Sequence, residues 1–208
     1  MISRTISDDY PLILASASPR RKDLLMQVGL PFTALHSEIE EGNVSGRPEE
    51  VACSLAQEKA MWIYETGAEG WILAADTIVV INHVILGKPG DEKDAGGMLR
   101  ALAGREHQVV TGFSIVSPEG TEVHGEAVTT RVSIKPLTDK EIKRYVNTGE
   151  PMGKAGSYAI QGIGAFMVEG ITGSYTNVVG LPVCAVIEAL KRLGALESFP
   201  ISPEMHEL

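Results

Sequence analysis

Leu12-Ile-Leu-Ala-Ser-Ala-Ser-Pro-Arg-Arg-Lys-Asp-Leu-Leu25 is the stretch from which the rest of the chain can be read. Its apolar opening, Leu12 to Ala15, has the length and composition of a buried strand. Small hydroxyl residues follow and then Pro19, whose fixed φ and missing N–H suit the first position of a helix, so Ser18 reads as the N-cap. Leu24, Leu25 and Val28 recur at helical spacing until Gly29, which suits the left-handed residue just past a helix end. Strand, tight turn and helix in this order open an α/β fold.

Charge placement in that helix is unusual. Arg20 and Arg21 occupy the first turn, where the helix dipole is positive and exposed cations are disfavoured by ~0.3–1 kcal/mol each. Something anionic should compensate. A hydroxyl-rich turn leading into a helix N-terminus is a ready anion site, and two guanidinium forks can hold phosphate oxygens in paired hydrogen bonds. Two solvated arginines on an ordinary strand–helix unit account for the same pattern, and spacing alone leaves both readings open.

The 208 residues suit one α/β domain over 1–208, with a core from about residue 12 to 193 and a tail from 195. A net charge of −9 argues against nucleic-acid or anionic-membrane partners, which need a positive surface field. Any phosphate ligand must then meet a local pocket of cations. Cys53 and Cys184 fall in predicted helices without metal-ligand spacing, and read as thiols of a reducing compartment. The apolar run before Ala15-Ser-Ala17 is too short for a secretory signal, and nothing approaches a membrane span, so a cytoplasmic location is expected.

Working outward, Leu30 to Leu35 reads as a second strand, followed by the acidic turn Glu38-Ile-Glu-Glu41 and a loop through Gly46. Pro48 starts a helix with Val51, Leu55, Trp62 and Ile63 on its apolar face, ending at Gly67. Lys59 lies four residues from both Leu55 and Ile63, so it falls on the buried stripe. Such a lysine either snorkels to water or places its ammonium in a pocket beside the phosphate site.

Trp71-Ile-Leu-Ala-Ala-Asp-Thr-Ile-Val-Val-Ile81 is nearly all apolar, and Asp76 is its one ionisable side chain. A buried carboxylate is costly without a partner, so Asp76 must reach water, a cation, a metal or backbone donors. It either marks a strand break or bulge beside Thr77, or serves as a general base or metal-binding acid fixed on a rigid sheet. The second reading is preferred, because the apolar frame both positions the charge and makes it count.

The strand continues into a hairpin about Asn82-His83 that delivers Gly87-Lys88-Pro89. Asp91 and Asp94 cap a helix through Leu99 and Leu102 to Gly104. Residues 107–116 and 121–134 alternate as antiparallel strands, and Thr138 with Glu141 forms a capping box for a helix ending near Gly149. The run Lys154 to Gly164 is rich in glycine and small residues around Gln161, Ile171 to Pro182 is a second polar turn, and Val183 to Leu193 closes the chain as a helix. Helices alternate with strands early and strands cluster in the middle, which predicts a mixed, twisted sheet flanked by helices.

Metal-type histidine spacing, a nucleophile elbow, a Walker A motif and a dinucleotide fingerprint are all missing from the sequence. What remains is a set of cations, Arg20, Arg21, Lys59 and Lys88, with acids Glu40, Glu41 and Asp76, at element ends or on inward faces. That combination suits phosphate chemistry with a hard divalent ion such as Mg2+ or Mn2+, held by one or two carboxylates and by the substrate's own phosphates. Cations offset charge on a leaving phosphate while a carboxylate orients or deprotonates water.

Ser16-Ala-Ser-Pro-Arg-Arg21 with Leu24-Leu25, Glu58-Lys59-Ala60, Ala75-Asp76-Thr77, Gly87-Lys88-Pro89, Lys154-Ala-Gly-Ser-Tyr-Ala-Ile-Gln-Gly162 and Gly173-Ser-Tyr-Thr-Asn-Val-Val-Gly-Leu-Pro182 together resemble the Maf family. These are nucleoside triphosphate pyrophosphatases first associated with inhibition of septum formation. The six blocks run in order from about residue 12 to 193. The resemblance implies a Maf-like fold related to the inosine-triphosphate pyrophosphatases, with an elongated sheet and two lobes with a cleft between. It also implies metal-dependent cleavage between the α- and β-phosphates. By position, Asp76 is then the proton acceptor, and Ser16, Arg20, Arg21, Lys59 and Lys88 line the phosphate site. Glu41, or its neighbour Glu40, joins Asp76 as a metal-site acid.

The resemblance extends to specificity. The branch acting on dTTP and UTP resembles this chain in Arg20, Thr77 and Gln161, where the branch acting on 7-methyl-GTP typically has Trp, Gln and Glu. A neutral Gln can both donate to and accept from a pyrimidine imide edge. Ala17 stands where Gly or Thr is frequent, a harmless departure. The implied partners are therefore dTTP, UTP or a modified pyrimidine nucleotide, with a homodimer as the expected assembly. Two competing readings are a nucleotide-binding regulator of septum formation acting without turnover, and a monophosphate-ester phosphatase.

Overall fold

A nearly continuous apolar run from Ile72 to Ile81, buried on both faces, makes the central strand of the fold. The computed structural model describes residues 5–37, 39 and 46–201. The chain runs β1 (Leu12–Ala15), α1 (Pro19–Gln27), β2 (Phe32–Leu35), α2 (Pro48–Glu65), β3 (Ile72–Ile81), β4 (Val84–Leu86), α3 (Glu92–Leu102), β5 (Glu106–Val116), β6 (Glu122–Ile134), α4 (Asp139–Val146), β7 (Val168–Thr172), α5 (Tyr175–Val179) and α6 (Val183–Arg192). Short 3-10 turns cover Ala155–Ser157 and Ile163–Met167.

The strands form one mixed sheet of order β2-β1-β3-β5-β6-β7, with β4 paired to the end of β3. β1 lies parallel to β2 and β3, while the remaining pairs are antiparallel. On its β5 side, β3 is paired continuously from Ile72 opposite Val116 to Val80 opposite Gln108. Its other edge is shared: β1 pairs with Ile72 and Leu73, and β4 pairs with Val79, Val80 and Ile81. Among the described residues the edge between those partners, Ala74 to Ile78, carries no strand. The sheet forks there, and Asp76 and Thr77 stand in the fork.

The core divides at the same place. Even-numbered residues of β3 face α2: Ile72 and Ala74 pack with Ala60 and Ile63, and Ile78 and Val80 with Val51, Ala52 and Leu55. Odd-numbered residues face the other way, Leu73 and Ala75 towards α1 and α6, and Val79 and Ile81 towards α3 and α4. On each face, therefore, apolar packing is interrupted at Asp76 and Thr77, which gives two lobes and a cleft.

Local signals account for most element ends. Gly29 and Gly194 adopt φ values of 68° and 71° just beyond α1 and α6. The β3–β4 hairpin turns through Asn82 and His83, both at positive φ, the geometry that matches strand twist. Thr138 and Glu141 form the expected capping box on α4.

Three local features add to the sequence reading. Ser18 is the N-cap of α1 by position, but its side chain makes no capping hydrogen bond. The run 171–182 is not simply a polar turn: Ser174 caps the short helix α5 through the N–H of Asn177. β7 is unexpected from sequence because Val-Glu-Gly-Ile-Thr is short and holds a glycine, and it forms by pairing with Arg131 to Ile134 of β6.

Candidate active site

Asp76 is buried in an unbroken strand, so a bulge is not what accommodates its charge. Its carboxylate oxygen Oδ1 instead accepts a hydrogen bond from the ammonium of Lys59, which is also buried. The helical spacing that put Lys59 on the apolar stripe of α2 thus delivers its head group to the gap between the two clusters on that face. Snorkelling to bulk water is excluded by this placement.

On the opposite face, Thr77 lies directly across from Thr111 in register, and their hydroxyls are 2.9 Å apart. Thr111 donates to the carbonyl of Asn177 at 3.1 Å, and the buried Asn177 amide donates to Val109 and Thr130. These contacts hold α5 against the sheet, with its C-terminal carbonyls turned towards α1. Arg20 Nε donates to the Val179 carbonyl at 3.3 Å, and Arg21 Nε to the Gly180 carbonyl at 2.7 Å. The compensation for two cations at the positive end of α1 is thus the carbonyl end of α5, where cations are favoured.

The two arginines differ in what else they do. Arg21 also donates to Ser16 Oγ and Thr77 Oγ1, both at 3.2 Å, so its fork ties α1, β1, β3 and α5 together. Ser16 Oγ accepts from the Ser18 N–H at 3.2 Å as well, which shapes the turn into α1. Arg20 is partly withdrawn from water, and burial lowers its pKa, with Glu150 and Tyr145 acting in the other direction.

A cleft of about 510 Å³ opens at the fork, within the range of small-molecule sites. It is lined by Ser16, Arg20, Arg21, Lys59, Asp76, Thr77, Lys88 and Gln161, every expected site residue that falls within the described part of the chain. Glu40 and Glu41 lie outside the described residues. The lining also includes His36, Ser37, Lys154 and Tyr158, which sequence reasoning did not single out. Lys154 could have been found: it opens a small-residue run much as Lys88 does between Gly87 and Pro89. Its ammonium donates to the Glu150 carbonyl, and burial followed by the nearby Arg20 charge lowers its pKa.

The described lining therefore carries five cationic side chains, Arg20, Arg21, Lys59, Lys88 and Lys154, against one carboxylate, in a chain of net charge −9. Such a concentration of positive charge suits a polyphosphate. Among the described residues no three of His, Cys, Asp and Glu converge as a closed metal cage. A hard divalent ion in a nucleotide site needs only one or two carboxylates, because phosphates and waters complete its shell. Asp76 fits that need, since a carboxylate has about four lone-pair sites and one lysine contact leaves capacity for a cation or a water.

One wall of the cleft rests on a buried neutral histidine. His107 Nε2 lies 2.8 Å from the Tyr158 hydroxyl, the rings meet edge-on, and Nδ1 is buried without a hydrogen-bond partner among the described residues. Burial lowers the His107 pKa from 6.5 to about 4. The unfolded chain then takes up this proton first, so stability present above about pH 6.5 should fall as pH drops towards 4. Urea unfolding should show a loss of roughly 2–3 kcal/mol from this residue over that window, and His107→Gln should flatten that part of the profile. An unchanged profile in the variant would show that His107 does not titrate on unfolding.

Known proteins resemble this chain along most of its length. Residues 11–193 match the family model described as Maf-like protein. A protein of Geobacter sulfurreducens named dTTP/UTP pyrophosphatase is 50% identical over 186 residues, covering 89% of this chain and 97% of its own. Proteins of the same name from Syntrophotalea carbinolica and Ruminiclostridium cellulolyticum are 49% and 47% identical, covering 92% and 88% of this chain and 88% and 95% of their own. Among solved structures, the nucleoside-triphosphatase / dITP/XTP pyrophosphatase of Mycobacterium abscessus is a distant likeness, 16% identical with a TM-score of 0.42 over 88% of this chain and 97% of its own. With the family model spanning both halves of the cleft, the chain belongs to the Maf family.

Proposed function

We propose that this protein is a nucleoside triphosphate pyrophosphatase that cleaves dTTP and UTP between the α- and β-phosphates, giving the nucleoside monophosphate and pyrophosphate. The observation that carries the reading is the meeting of Arg20, Lys59 and Lys88, from three separate elements, with Asp76 in one cleft. Relatives at about half identity over nearly their whole length bear the corresponding name.

The triphosphate enters where the lining is most cationic. Arg20, Lys88 and Lys154 meet its oxygens, while Arg21 holds Ser16 and Thr77 in position by donating to both hydroxyls. Asp76 orients a water and accepts its proton as that water's oxygen bonds to phosphorus and the bond to the pyrophosphate oxygen breaks. Lys59 fixes the carboxylate for this role, and charge on the departing pyrophosphate is offset by the surrounding ammonium and guanidinium groups. A divalent cation held by Asp76 and Glu41 would supply further charge neutralisation and a more acidic water.

Gln161 is exposed on the cleft wall and can pair with the imide edge of thymine or uracil, donating to a carbonyl and accepting from N3–H. Gln161→Glu removes the donor and is expected to lower kcat/KM for dTTP by about 10- to 100-fold. A variant within twofold of wild type would move base recognition elsewhere. The function itself is tested by a product-resolved screen of nucleoside triphosphates with magnesium. dTTP and UTP should give equimolar monophosphate and pyrophosphate, whereas orthophosphate as first product, or binding with no turnover, would overturn the proposal.

A further inference from the structure

Glu150 lies outside the cleft lining, yet it organises the segment that carries Gln161. It follows α4 and Gly149, and its carboxylate accepts three hydrogen bonds. The Tyr145 hydroxyl donates to Oε2 at 2.7 Å, the Gly164 N–H to Oε2 at 2.8 Å, and the Ile163 N–H to Oε1 at 2.8 Å. Tyr145 Oη in turn accepts from the Ala159 N–H at 3.2 Å. The backbone is thus gripped on both sides of Gln161, at Ala159 and at Ile163 and Gly164. The Glu150 main-chain carbonyl holds the Lys154 ammonium, so the same residue also anchors the start of the glycine-rich run.

The glycines of that run record how closely the tether passes. A Cβ on Gly162 would stand 1.9 Å from Glu150 Oε1, and one on Gly164 would stand 2.7 Å from Tyr145 Oη and 2.8 Å from the Ala159 carbonyl oxygen. Flexibility is therefore not what these positions provide. Their missing side chains let a carboxylate and a phenol reach the main chain directly, and the loop is held by its amides whatever side chain it presents. Burial works against the Glu150 charge, but the hydrogen bonds from Tyr145, Gly164 and Ile163 outweigh it and lower its pKa, so the tether is charge-assisted.

We propose that Glu150, acting with Tyr145, is the positioning residue of the base-recognition loop, fixing Ala159–Gly164 so that Gln161 meets the pyrimidine edge in one orientation. The inference rests on the proposed function for its substrate, but the tether stands on the contacts alone. Positioning of this kind belongs to binding of the base and leaves the chemistry at the phosphates largely untouched, so its loss is read in KM before kcat.

Two variants separate geometry from charge. Glu150→Asp keeps the charge beside Arg20 and Lys154 but is one methylene too short to reach both amides. Glu150→Gln keeps the reach but turns an NH2 group towards backbone donors. Both should raise KM for dTTP by about 3- to 10-fold and change kcat by less than about 2-fold, and Glu150→Asp, which keeps the charge, should leave inhibition by inorganic tripolyphosphate, which has no base, unchanged. Hydrogen exchange at Ile163 and Gly164 should quicken in both.

Unchanged exchange would overturn the tether, and so would a defect confined to Glu150→Gln, which would assign the effect to charge. A tripolyphosphate inhibition constant that rises in step with KM in Glu150→Asp would make Glu150 a general structural residue. If the wild-type protein fails to turn over dTTP, the proposed function falls, while the exchange measurement, which needs no substrate, still judges the tether.

Discussion

Asp76→Asn is expected to lower pyrophosphate release from dTTP by about 10³-fold, near the middle of the range for loss of a general base, while the protein stays folded. Asparagine keeps the volume of the side chain, and its carbonyl oxygen can still accept from Lys59, so the contact across the α2–β3 gap survives. What it cannot do is take a proton. Asp76→Ala should be equally inactive but also less stable, by on the order of 3 kcal/mol, because it breaks a buried ion pair at the point where both apolar clusters stop. For a chain of this size that is a fall in Tm of about 6–12 °C. The two variants together separate chemistry from packing. Turnover by Asp76→Asn above a tenth of wild type would remove Asp76 as proton acceptor, and equal Tm values for the two variants would show that the neutral hydrogen bond retained in Asp76→Asn adds nothing once the ion pair is lost.

The half of the cleft around Asp76 was legible because its residues break local rules. Lys59 interrupts a helical stripe and Asp76 interrupts an apolar strand, and each anomaly is resolved by the other across 17 positions of sequence. The arginines at the start of α1 were equally conspicuous, but their partners were not foreseeable. Val179 and Gly180 contribute carbonyls, which every residue has, so nothing in their side chains announces the contact. The same holds for the tether at Gln161, where backbone amides meet Glu150 and the glycines register only as permissive positions. Thr111 and Asn177 were hidden for another reason. They sit in segments whose composition suits plain framework, and their polarity acquires meaning only when β3, β5 and α5 stack Thr77, Thr111 and Asn177 into one chain of hydrogen bonds. The fork in the sheet is likewise a property of pairing, since β1 and β4 take opposite ends of the same edge of β3.

One glycine shows how tightly that fork is built. Gly112 lies directly opposite Asp76 in the β3–β5 register, on the face covered by α2. A Cβ there would stand 2.3 Å from the Ala52 carbonyl carbon and 2.4 Å from the Cys53 nitrogen, both main-chain atoms of α2. No rotamer can relieve a clash with a helix backbone, so Gly112→Ala must push α2 outward by on the order of 1 Å to restore ordinary contact. The same helix carries Lys59, two turns further on, and with it the partner of the Asp76 carboxylate. The variant is therefore expected to lose about 1–3 kcal/mol of stability to overpacking, read as a Tm lower by about 2–12 °C. It should also lose roughly 10²-fold in kcat/KM for dTTP, the cost of a displacement of about 1 Å at a catalytic group. Gly97→Ala is the matched control. That glycine is exposed within α3, its φ is not positive, and an added Cβ meets nothing within 4 Å, so the change should stabilise the helix by about 0.5–1 kcal/mol and leave turnover alone. Wild-type stability and turnover in Gly112→Ala would mean that α2 is not seated on β5 as described. A stability loss with full turnover would mean that the Lys59–Asp76 pair follows the helix as it moves, and the rigid placement argued for Asp76 would fall with it.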